Sequence, residues 1–148
     1  MTTPDSFTAQ LNQLLATYQI HYQNLREIHW NVKGAQFFEL HVKYEELYTR
    51  AQEIIDELAE RILTLGETPL HRFTDYLKES TISENATIHD GTEGMAYILS
   101  AQKSLLELER AILKQASELE DEGTNSLISD LVREKEKTNW MFAAWLNK

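Results

Sequence analysis

The hydrophobic positions of this chain recur at intervals of three and four residues through most of its length, a spacing that predicts helices. From Phe7 the series Leu11, Leu14, Leu15, Tyr18, Tyr22, Leu25, Ile28 and Val32 marks one face of a long amphipathic helix that ends before Gly34. Thr3-Pro4-Asp5 reads as its start, with Thr3 as N-cap, Pro4 at the first helical position and Asp5 in the first turn. A second helix is predicted from about Phe37 to Leu65, its stripe formed by Leu40, Tyr44, Leu47, Ala51, Ile54, Leu58, Ile62 and Leu65. Gly66 stops it in the C′ position, with Pro69 three residues on.

Between Leu70 and Asp90 the period is lost. RFTDYL has the length for two short turns of helix and the remainder reads as loop. A third helix starts near Thr92 and carries Met95, Ile98, Leu99, Leu105, Ile112 and Leu119 to the acidic turn Glu120-Asp121-Glu122-Gly123. A fourth follows from about Thr124 through Leu127 and Leu131 to the cluster Trp140, Met141, Phe142 and Trp145. No strand-like alternation of useful length and no internal repeat occurs. The expected fold is one all-α domain over residues 1–148, a four-helix bundle with a short extra helix in the long connection between helices two and three. A connection of that length lets helices two and three run parallel.

Composition narrows the function. Hydrophobic residues make up 42% and charged residues 26%, which argues against disorder. The absence of cysteine removes disulfides, thiolate metal sites, iron–sulfur clusters and thiol nucleophiles, and fits a reducing cytoplasm. No run of 18 apolar residues is present, so no membrane span is expected. The N-terminus lacks the basic start and apolar run of a signal peptide. The formal charge is -10, the first Lys or Arg is Arg26, and neither end carries a basic tail. Such a surface repels nucleic acid and attracts cations.

The candidate chemistry lies between His29 and Glu60. His29, His41, Glu45, Asp56 and Glu60 are the residue types that bind divalent metals, imidazole and carboxylate being suited to iron. His41/Glu45 and Asp56/Glu60 are each four residues apart, so each pair shares one helix face. His41 and Asp56, fifteen residues apart on one helix, are separated by roughly 22 Å, whereas metal–ligand bonds are about 2 Å long. One chain therefore cannot bring both to one ion. Around the helix axis they differ by only about 60°, so two copies packed antiparallel about a two-fold axis bring the His41 end of one to the Asp56 end of the other. The turn at Gly34 folds His29 back beside His41. The layout inside a single bundle requires Glu-x-x-His motifs, and this sequence contains none.

At these residues the chain resembles a known family. His29-Trp30-Asn31-Val32-Lys33-Gly34, Phe37-Phe38, Leu40-His41 and Asp56-Glu57-Leu58-Ala59-Glu60-Arg61 are similar to the signature of Dps, the DNA-protecting, ferritin-like proteins of starved cells. The similarity extends to Leu65-Gly66 with Pro69, to Asp121-Glu122-Gly123-Thr124 and to Trp140-Met141, and so covers nearly the whole chain. The resemblance implies a ferritin-like bundle assembled into a hollow shell of twelve subunits, with a ferroxidase site binding two irons at each two-fold interface. It implies His29, His41 and Glu45 as ligands from one subunit and Asp56 and Glu60 from its partner. It also implies oxidation of Fe(II), usually by hydrogen peroxide, storage of Fe(III), and a role for Trp30 in intercepting radicals beside the site. Glu45 stands where the family commonly has Asp, one methylene shorter. An iron-sequestering cage with weak redox activity is the alternative if that change disables the site.

The DNA-coating alternative is weaker, because family members that coat DNA generally use a lysine-rich mobile tail, which neither end of this sequence has. Glu46, Glu53 and Glu57 are candidates for mineral nucleation, and Asp121, Glu122 and Asp130 for an acidic pore. His21, His71 and His89 read as structural or surface residues. Trp140 and Trp145 read as packing residues, and Arg133-Glu134-Lys135-Glu136-Lys137 as an exposed face with local ion pairs.

Overall fold

The computed structural model describes residues 6–148, which form five helices: α1 Phe7–Asn31, α2 Phe37–Thr64, α3 Phe73–Glu79, α4 Gly91–Glu118 and α5 Glu122–Trp145. The four long helices and the short α3 between α2 and α4 match the sequence expectation. Ser6 caps α1, its hydroxyl accepting from the Ala9 N–H at 3.0 Å, while the start expected at Thr3 lies outside the described residues. Asp90 caps α4 and Asp121 caps α5 in the same way, through the N–H groups of Glu93 and Thr124.

α2 ends in a Schellman motif. Gly66 adopts φ 85°, its N–H donates to the Leu63 carbonyl, and the Glu67 N–H donates to the Ile62 carbonyl. α4 ends identically, but there the left-handed position falls to Glu120, at φ 57°. The expected turn at 120–123 is therefore shorter, and Glu122 and Gly123 already belong to α5. Leu65 and Leu119, placed on the stripes from their spacing, are exposed at these helix ends.

Contacts along the helices fix their directions. His29 meets His41 and Tyr22 meets Tyr48, so α1 and α2 are antiparallel. Arg50 reaches Glu134 and Arg61 reaches Asp121, so α5 runs against α2. Gly91 and Gly94 of α4 lie against Leu40 and Tyr44 of α2, in the same order, so these two helices are parallel. Both glycines are needed for that approach: a Cβ would sit 2.5 Å from Leu40 Cδ1 or 2.6 Å from the Tyr44 hydroxyl.

The core joins Leu11, Leu14, Leu25 and Ile28 of α1 to Tyr44, Leu58 and Ile62 of α2, Ile98, Leu105 and Ile112 of α4, and Ile128 and Leu131 of α5. The connection from 65 to 90 has few such anchors and is instead hydrogen-bonded to polar residues of α1. Asn12, Thr17, Asn24 and Glu27 accept from the N–H groups of Leu70, Thr81, Asn85 and Ile88, at 2.8, 3.1, 2.9 and 3.1 Å. No helix among the described residues is long and apolar enough to cross a membrane.

Candidate metal centre

The histidine half of the site is built by the way α1 ends. Val32 leaves helical geometry, at ψ 141°, and the next N–H, that of Lys33, donates to the His89 carbonyl at 2.9 Å. In a continuing helix it would have bonded the His29 carbonyl, which is one of the unsatisfied groups of a helix C-terminus. His41 takes that carbonyl instead: its Nδ1 donates to it at 2.8 Å, and the His29 Nδ1 donates to the His41 carbonyl at 2.6 Å. A carbonyl can only accept, so Nδ1 carries the proton on both rings, and in the neutral form each Nε2 keeps its lone pair. Metal-binding histidines are commonly oriented by such a bond from the other ring nitrogen.

The two rings stack, with centroids 3.8 Å apart and planes 13° from parallel. Phe37 stacks on His41 at 4.9 Å and Tyr48 stands edge-on to His29 at 5.3 Å. His29 is buried, His41 half-buried. One turn beyond His41, the exposed Glu45 carboxylate places Oε1 3.7 Å from His29 Nε2. Two donors bound to one ion at about 2.1 Å each would be about 3.6 Å apart at an angle of about 120°, so these atoms suit one ion.

Asp56 and Glu60 are exposed on the same unbroken α2. Asp56 lines a shallow depression with Thr49, Gln52, Glu53, Ile55 and Ala59. Among the described residues, no three histidine, aspartate or glutamate side chains converge to hold a metal within one subunit. The fold thus stacks His29 on His41 and brings Glu45 to His29, short of a three-ligand cluster, and keeps Asp56 and Glu60 at the other end of the helix. The Trp30 indole, 57% exposed, lies under the Arg26 guanidinium at 4.9 Å.

The other acids are largely committed. Glu46 pairs with Lys43, Arg50 holds both Glu53 and Glu57, and Asp130 pairs with Arg133. Asp121 bonds Thr124 and the Arg61 guanidinium, the latter at 2.9 Å. Burial acts to raise the Asp121 pKa, but the Thr124 hydrogen bonds and Arg61 outweigh it and hold the carboxyl below its usual range. Of the three pore candidates only Glu122 forms no ion pair among the described residues. His21 bonds the Tyr97 hydroxyl and His89 the Asn31 carbonyl, as structural residues. Trp145 packs on the core, whereas Trp140 is exposed on the subunit surface.

One expectation is overturned. Lys135 is not on an exposed face: it is buried, and its ammonium lies 3.0 Å from Glu109 Oε2, also buried. The signal was present in the spacing, since Lys135 continues the stripe of Ile128 and Leu131, and Glu109 continues that of Leu105. Two charges at stripe positions of facing helices are a buried pair.

A four-helix bundle carrying imidazole and carboxylate donors on its first two long helices is a ferritin-like architecture, and the ferritin-like domain profile of the Ferritin family matches residues 8–148. The chain is 49% identical over 135 residues to an uncharacterised protein of Haemophilus influenzae, covering 91% of this chain and 84% of that one. It is 40% identical over 140 residues to DNA protection during starvation protein 2 of Bacillus anthracis, covering 93% and 94%. The crystal structure of a Dps protein from Vibrio cholerae O1, described as a ferritin-like diiron-carboxylate protein, superposes with a TM-score of 0.93 at 50% identity, covering 95% of this chain and 88% of that chain. The chain belongs to the Dps family.

Proposed function

We propose that this protein is a mini-ferritin that oxidises Fe(II) with hydrogen peroxide at sites shared between subunits, and stores the Fe(III) in a hollow shell of twelve copies. His29, His41 and Glu45 of one subunit and Asp56 and Glu60 of the other hold the substrate iron, two ions per site. The observation that carries this reading is the reciprocal His29–His41 bonding. It fixes two imidazoles with Nε2 free next to a carboxylate, while the remaining carboxylates sit roughly 22 Å along α2 and need a second chain.

In the reaction two Fe(II) each lose one electron, and peroxide takes both. Its O–O bond breaks, and with two protons it yields two waters. Anionic oxygen ligands favour the higher charge of Fe(III). Removing Fe(II) and peroxide together removes both reactants that generate hydroxyl radical, which would protect DNA in the cytoplasm without contacting it. Trp30, exposed and next in sequence to His29, intercepts radicals that escape the site. With -10 per chain repeated about twelve-fold, direct DNA contact is unfavourable at physiological salt, and no gel retardation is expected. In stopped-flow absorbance with Fe(II) and peroxide, His41→Ala should lose the fast oxidation phase. Oxidation at the wild-type rate would refute the site.

A further inference from the structure

The bundle interior holds a second set of ionisable groups that the interface sites do not use. Glu109 Oε2 accepts from the Tyr18 hydroxyl at 2.7 Å and from Lys135 Nζ at 3.0 Å, while Glu109 Oε1 has no hydrogen-bond partner. Lys135 Nζ also donates to the Leu131 carbonyl at 3.2 Å and lies 5.1 Å from the Tyr18 ring centroid. Beside these groups is a cavity of about 40 Å³, lined in part by Tyr18, His21, Arg50, Gln102, Glu134 and Lys135. All four long helices contribute to the cluster.

Carboxylates and a phenol from facing helices, around a small cavity, are a donor set for a hard divalent cation, and bundle cores are where such sites are built. Here every charge is already matched. The ammonium satisfies one Glu109 oxygen, and Arg50 Nε donates to both oxygens of Glu134 at 3.1 Å. We propose that the Lys135 ammonium takes the place of a bound cation in the bundle interior, closing that site to iron and confining the metal to the subunit interfaces. Lysine suits the role because its charge is compact, with three donors on a chain long enough to reach from α5. His21 stays neutral beside it, since burial, with Lys135 adding to it, brings its pKa down to about 3.

The test uses the full chain carrying His41→Ala and Asp56→Ala, which removes the interface ligands. It decides the interior claim whether or not the interfaces oxidise iron. Co(II) is the probe, followed by its visible absorption and by equilibrium dialysis. Adding Lys135→Ala should create one further Co(II) site per chain and make the thermal midpoint rise with Co(II). Adding Glu109→Gln to Lys135→Ala should abolish both effects. No gain of Co(II) with Lys135→Ala, or an equal gain with Glu109→Gln present, overturns the proposal. If Lys135→Ala is not recovered folded, it is refolded with propylammonium, which replaces the missing chain end. Recovery with propylammonium and not with tetramethylammonium supports a cation position, and recovery with neither refutes it.

Discussion

Two subunit variants, each lacking one half of the proposed site, should restore activity when assembled together. His41→Ala leaves the acid half intact, and Asp56→Asn leaves the histidine half intact. α2 is continuous from Phe37 to Thr64, so the two positions are held about 22 Å apart by the rise of the helix, and no side chain spans that gap. In the proposed arrangement each site draws its histidine half from one chain and its acid half from another. In a one-to-one mixture dissociated and reassembled together, chance leaves each half intact in half the cases, which restores about one quarter of the sites. The assay is the initial rate of Fe(II) oxidation with peroxide, measured by stopped-flow absorbance. Each variant alone should be near the uncatalysed rate, and the co-assembled mixture near one quarter of wild type. Cages assembled separately and then mixed should show no recovery. Co-assembly that gains nothing over that control would place all the ligands within one chain, or remove Asp56 from the site.

Stability tests address the interior and the caps. Lys135→Met leaves the Glu109 carboxyl buried without its partner and should cost about 3–5 kcal/mol by urea unfolding, whereas Lys135→Met with Glu109→Gln should cost far less, because an unpaired buried charge is the main penalty. Equal losses in the two proteins would contradict that. Glu120→Gly relieves a left-handed residue at the C-terminus of α4 and should raise the unfolding free energy obtained from urea denaturation by up to about 1 kcal/mol; a fall would show that the Glu120 side chain matters more than its backbone. Asp121 has a depressed pKa in the folded state, so its contribution is present above its unfolded value and is lost as the pH falls through the folded one. The gap in urea midpoint between wild type and Asp121→Asn should thus be widest above about pH 4 and narrow below it, and a pH-independent gap would refute the assignment.

The sequence alone determined the helices and the distance between the two proposed ligand halves, because both are local. A three-and-four spacing fixes which face of a helix is apolar, and the number of residues between His41 and Asp56 fixes their distance along α2 before anything is folded. Three other features depended on tertiary structure. The His29–His41 bonding arises only because α1 stops at Val32 and leaves a carbonyl free, which involves His89 from a distant loop. The course of residues 65–90 has no period to read, because it is held by hydrogen bonds to Asn12, Thr17, Asn24 and Glu27 and not by an apolar stripe. Lys135 looked solvent-facing in a run of charges, and only the approach of α4 to α5 supplied the Glu109 carboxylate that makes its burial affordable. Stripe spacing marked Lys135 and Glu109 for burial, but which polar partner each meets depends on where the packed chain brings it.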